Sequence, residues 1–164
     1  VTVLTEAGLV QRTLTIQTKL DKDASEAQRI ERLIYIANEL VGIVKEFRIV
    51  DLGVEDYAYA AGYSAHQIGE IGGTIKTQIW LACGVVVRPA PIKSARKHVI
   101  GYGGSLGKTS KEAKANTVHI VREGYGVDVA NDHEADSFVV ARYTFDKVVA
   151  EAKEAQELWE KQEI

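Results

Sequence analysis

Three side chains, Glu55, His133 and Asp136, could together hydrolyse a phosphodiester. Carboxylate oxygens and an imidazole nitrogen suit Mg²⁺ or Mn²⁺. In a two-metal site one ion activates water and the other stabilises the leaving oxygen. His133 and Asp136 are three residues apart in Asp132-His-Glu-Ala-Asp136, so on a helix they share one face near its first turn. Glu55 closes a run in which Val50, Leu52 and Val54 alternate with Asp51, Gly53 and Glu55. That is the period-two pattern of a strand that delivers one acid to a sheet edge. A plain strand-end carboxylate in solvent accounts for Glu55 equally well.

A phosphate backbone needs cations as well. Between Arg88 and Lys114 stand Arg88, Lys93, Arg96, Lys97, Lys108, Lys111 and Lys114, with Glu112 as the single acid. The glycine-rich stretch Gly101–Gly107 interrupts this run, and helix starts flank it, an arrangement suited to phosphate contact. A solvated face is the simpler account of such a charge run. No Walker phosphate loop is present, because the Gly-Lys-Ser/Thr spacing after a strand is missing. Tyr57 and Tyr59 follow Glu55 on a loop and could stack on unpaired bases. His66, His98 and His119 are scattered without ligand spacing.

These groups need elements to hold them. Val1–Thr5 and Leu9–Ile16 read as a hairpin joined by Glu6-Ala7-Gly8. Asp23, with Glu26 as its reciprocal partner, is expected to cap a helix whose apolar face is Ile30, Leu33, Ile34, Ala37, Leu40, Val41 and Val44. A second helix runs from Ser64 to about Cys83. It carries an apolar stripe (Ile68, Ile71, Ile75, Ile79) and a small-residue strip (Ala65, Gly69, Gly72, Gly73). Mid-helix glycine costs about 1 kcal/mol relative to alanine, so close approach of another backbone is expected there. Val85–Val87 reads as a short buried strand stopped by Pro89 and Pro91. Short helices follow from about Ile92 to Val99 and from about Lys108 or Thr109 to Glu123. Asp132 is expected to cap a last helix, with Phe138, Val139 and Ala141 buried and residues 146–164 as an exposed helical tail.

The chain of 164 residues is one domain's worth, and 46% hydrophobic content supports a core. A formal charge of −3 does not announce nucleic-acid binding, which would rest on the local cations. The lone Cys83 leaves no partner for a disulfide or a cysteine-based zinc site within this sequence. No apolar run is long enough to span a bilayer and no signal peptide is visible, so a soluble cytoplasmic protein is expected. The sequence has no Met and starts at Val1 in what reads as mid-hairpin, so a start inside a domain is expected.

Taken in order, Val54-Glu55 with its aromatic loop, Gly69-Glu-Ile-Gly-Gly73, Lys97-His-Val-Ile-Gly-Tyr-Gly103, Gly107-Lys-Thr-Ser-Lys111 and His133-Glu-Ala-Asp136-Ser resemble the RuvC family of Holliday junction resolvases, within the RNase H-like superfamily. The resemblance covers nearly the whole chain. It implies an α/β, three-layer RNase H-like fold with a mixed central sheet flanked by helices, spanning 1–164 as one nuclease domain. It implies a DNA endonuclease of recombination and repair that cuts branched DNA as a homodimer with Mg²⁺ or Mn²⁺. Glu55 then falls at the second catalytic acid, His133 at the third position and Asp136 at the fourth. Lys97, Lys108 and Lys111 lie in the DNA-contacting segment, and Tyr57 and Tyr59 near the strand-exchange point. The glycine-strip helix belongs to the dimer interface by the same match. The family's first strand, with its Gly-x-Asp ligand, has no counterpart here. A missing start is the expected reason. The alternatives are a junction-binding relative that does not cut and an RNase H-like nuclease acting on RNA–DNA hybrid.

Overall fold

The computed structural model describes residues 1–19, 21, 23–56, 64–101 and 109–162. In chain order the elements are β1 (Thr2–Leu4), β2 (Val10–Thr13), α1 (Glu26–Glu46), β3 (Leu52–Asp56), α2 (Ser64–Cys83), β4 (Val87–Pro91), α3 (Ile92–Ile100), α4 (Ser110–Tyr125) and α5 (Asp132–Gln162). They form an α/β protein whose described strands pair as two two-stranded sheets, β1 with β2 and β3 with β4. The expected single mixed sheet is not drawn among the described residues. The chain divides into two compact units, one built on Leu14–Pro91 together with Val1, the other on Thr2–Thr13 with Ile92–Ile164.

The first unit packs α1 on α2 and pairs β3 with β4. Its core is Val44, Ile75, Ile79, Val85 and Val87, with Leu40, Val41, Leu52, Val54 and Ile71 packed against it. The apolar stripe of α2 therefore faces inward at Ile75 and Ile79, and partly at Ile71. On α1 the expected stripe is buried at Ala37 and Val44, with Ile43 buried beside it, while Ile30 and Ile34 are exposed. The cap of α1 is Ser25, not Asp23. Its hydroxyl accepts from the Gln28 amide and the Gln28 side chain accepts from the Ser25 amide. The Ala24 amide donates to the Asp21 carbonyl, closing a turn over Asp23, so the helix starts two residues later than expected. At two positions of the glycine strip no neighbour comes close: a Cβ at Gly69 or Gly73 would meet nothing within 4 Å, while Gly72 between them is buried.

The prolines do not stop β4; they belong to it. β4 runs parallel to β3 with Val54 opposite Pro89, Glu55 opposite Ala90 and Asp56 opposite Pro91. Their two-residue spacing puts both missing N–H groups on the same side of the strand, so the other side can serve the ladder. The strand β3 starts at Leu52, leaving Val50 exposed.

In the second unit the β1–β2 hairpin and helices α3 and α4 pack on α5. The hairpin turn closes with Gly8 donating to the Thr5 carbonyl at 2.8 Å and Thr5 donating to the Leu9 carbonyl at 2.8 Å. Gly8 has φ +74°, and a Cβ there would lie 2.8 Å from the Phe145 ring, so both backbone and space call for glycine. The core is Ala95, Val99, Val121, Val129, Ala135, Phe138 and Val139. Phe138 and Val139 are buried as expected, while Ala141 is only half-buried. The Tyr125 ring meets Phe138 edge-on and its hydroxyl donates to the Val99 carbonyl, tying α4 to α3. Thr109 caps α4 in a reciprocal arrangement with Glu112.

Candidate functional site

Glu55 is the penultimate residue of β3 and is exposed. β3 and β4 are parallel, and the carboxyl ends of parallel strands are where α/β proteins place ligand-binding groups. Asp56 follows it, also exposed, but strand alternation turns the two acids to opposite faces. Tyr57 and Tyr59 lie outside the described residues.

The second group sits at the start of α5. Asn131, not Asp132, supplies the cap: its side-chain oxygen accepts from the Glu134 amide at 3.0 Å. Glu134 reaches back to accept from the Ala130 amide at 2.7 Å. The Asn-x-x-Glu spacing signals this cap in the sequence, whereas Ala135, three residues after Asp132, has no side chain to reciprocate. Asp132 is released to pair with Lys114 of α4, Nζ to Oδ2 2.7 Å. The hydrogen bond from Lys114 holds the Asp132 carboxyl below its ordinary range. Partial burial opposes this, and the nearby charge of His133 assists it.

Asp136, one turn further on, is held by Arg96 of α3. Arg96 Nε donates to Oδ1 at 3.0 Å, and Nη2 reaches Oδ1 and Oδ2, each at 2.8 Å. The guanidinium side chain is 27% exposed and the carboxylate 21%. Asp132 and Asp136 are four apart on one helix face, where like charges repel, and a cation from each of two other helices neutralises them. His133 is exposed.

The basic segment is thus partly consumed within the protein. Arg88 pairs with Asp51 at 3.1 Å, Arg96 with Asp136 and Lys114 with Asp132. Lys93, Lys97 and Lys111 are exposed, and Lys108 lies outside the described residues. On the neighbouring turns of α3 and α5, His98 Nε2 is 3.0 Å from Asp146 Oδ2, and Arg142 donates to the other oxygen of Asp146 at 3.0 Å. The roles of Arg96 and Lys114 were hidden in the sequence, because nothing in a run of cations says which of them meets a carboxylate.

The donor types suit a divalent cation, but the arrangement at α5 does not present them to one. Both oxygens of Asp136 already accept from Arg96, and Asp132 is taken by Lys114. Among the described residues no group of three or more His, Cys, Asp and Glu side chains stands close enough to hold a metal ion.

No protein-family model matches this chain. No curated protein matches it either. Among solved structures, RuvC from Thermus thermophilus superposes on it with a TM-score of 0.64 at 19% sequence identity, covering 92% of this chain and 86% of that one. The fold is RuvC-like. No helix among the described residues is long and apolar enough to cross a membrane.

Proposed function

We propose that this protein is a structure-selective DNA endonuclease that resolves Holliday junctions or related branched DNA by metal-dependent phosphodiester hydrolysis, with Mg²⁺ or Mn²⁺ as its ion. The observation that carries this reading is the RuvC-like fold over 92% of the chain; an acid near the end of β3 and a His-x-x-Asp pair at the start of α5 support it, being the positions to which the sequence resemblance assigns the family's ligands. Glu55, His133 and Asp136 are assigned to metal binding and catalysis. Lys97 and Lys111, both exposed, are assigned to the DNA backbone together with Lys108. Tyr57 and Tyr59 are assigned to unpaired bases at the branch point. A homodimer cutting two opposed strands completes the reading. The open small-residue face at Gly69 and Gly73 leaves room for a partner subunit.

A second reading has one observation in its favour. Asp136 is fully engaged by Arg96, as it would be in a protein that holds branched DNA without cutting it. The two readings part in a panel of four-way junction, RNA–DNA hybrid and linear duplex, each incubated with Mg²⁺ or Mn²⁺. Symmetric nicking of the junction alone is the expected outcome. Tight junction binding with no cleavage in either metal would establish the binding protein, and preferential cutting of the hybrid would replace the substrate.

A further inference from the structure

The disagreement at Asp136 has a direction. A divalent cation bonds a carboxylate oxygen at about 2.0–2.6 Å and brings two positive charges to it. Here Oδ1 accepts two N–H groups and Oδ2 one, all from a single guanidinium, so an incoming ion would sit against a fixed positive charge in a partly desolvated site. The pair is not all that holds α3 on α5. Ala95 and Val99 of α3 are buried at 0% and 8% exposure, in one cluster with Ala135, Phe138 and Val139 of α5. With the apolar contact holding the helices, the guanidinium, 27% exposed, can leave the carboxylate for solvent without undocking the helix. The neighbouring Lys97 is exposed and makes no such contact with Asp136, so the two cations of this helix differ in role.

We propose that Arg96 is a gate on Asp136: in the protein without DNA its guanidinium holds the carboxylate closed to divalent cations. Arg96 is then a positioning residue that acts on the ion only through Asp136. The proposal rests on the reading of Asp136 as a metal ligand.

The test is Mn²⁺ binding to the full chain without DNA, followed by the paramagnetic resonance signal of free Mn²⁺. Arg96→Gln removes the charge and the fork, and should tighten Mn²⁺ binding by about tenfold, the scale expected when a charge-assisted pair competing with the ion is lost. Arg96→Lys, which keeps a charge but cannot form the two-oxygen fork, should fall between it and the parent and serves as the test if Arg96→Gln melts below the assay temperature. Lys97→Gln removes an equal charge from the same helix and should stay within about twofold of the parent. Asp136→Asn added to Arg96→Gln should abolish the gain. If Lys97→Gln tightens binding as much as Arg96→Gln, bulk charge is the cause and the gate is refuted. If Arg96→Gln and Arg96→Lys bind Mn²⁺ no better than the parent while Asp136→Asn weakens binding, the gate fails and Asp136 remains a ligand. If none of these substitutions changes Mn²⁺ binding, Asp136 is not a ligand and the proposed site falls together with the gate.

Discussion

The two acidic places in this protein are built on different principles. Glu55 is placed by strand pairing: it is the fourth residue of a five-residue strand, exposed, at the carboxyl end of a parallel pair. The start of α5 is instead a meeting of several helices. Asp132 is matched to Lys114 of α4, Asp136 to Arg96 of α3, and Glu134 to the Ala130 amide. The contrast teaches that pairing of two strands sets where Glu55 lies, whereas a change at the start of α5 is felt by helices distant in sequence.

The largest expected effect is at the strand. Glu55→Gln keeps shape and removes charge, so junction cleavage should fall by orders of magnitude, while junction binding in a gel-shift assay stays near the parent. Parallel loss of both would show that Glu55 supports structure, and the contrast would collapse.

On the α5 side, stability should respond first. Gly8→Ala forces a side chain onto a φ of +74° and against the Phe145 ring, which packs the hairpin on α5. A loss of roughly 1–3 kcal/mol in chemical denaturation is expected. An unchanged midpoint would mean that Phe145 moves aside freely. Arg96→Ala strands a carboxylate that is only 21% exposed, and should lower stability by about 1–2 kcal/mol, a value discounted for its remaining solvent contact. If Arg96→Ala and Asp136→Asn together cost as much as the two added separately, the residues do not act as a pair.

Smaller effects sharpen the division among cations. Lys111→Ala should weaken binding to all DNA shapes and reduce the salt slope by about one, the loss of one phosphate contact. A slope equal to the parent's would place Lys111 in solvent. The Asp132–Lys114 pair should give the smallest effect, and only in acid. Its carboxyl is depressed in the folded state, so its stabilisation is complete above the ordinary carboxylate value of about 3.9 and is lost as pH falls through the lower folded value. Lys114→Gln should therefore narrow the stability gap to the parent as melts are taken from pH 6 to pH 2. A gap independent of pH would assign the lysine's effect to packing of its stem.

Much of the scaffold could be read from local pattern. The bounds of α2 at Ser64 and Cys83, the hairpin around Gly8, the inward face of Ile75 and Ile79 and the burial of Phe138 and Val139 follow from periods of 3.6 and 2 and from turn chemistry. These are properties of a few consecutive residues, so a single chain of letters contains them. Caps were less legible, because two boxes competed at α1 and a turn over Asp23 decided for Ser25. The strand through Pro89 and Pro91 was misread, because its tolerance of proline depends on which side its neighbour occupies. Arg96 and Asp136 are 40 residues apart, and nothing local distinguishes Arg96 from Lys97 beside it. Helix packing through Ala95, Val99 and Phe138 turns one cation toward α5 and leaves the next in solvent. Which residues carry charge, and which segments coil or extend, is written in consecutive residues. Which charges neutralise one another is settled by helix packing, because an ion pair depends on distances of a few ångströms that periodicity along the chain does not encode.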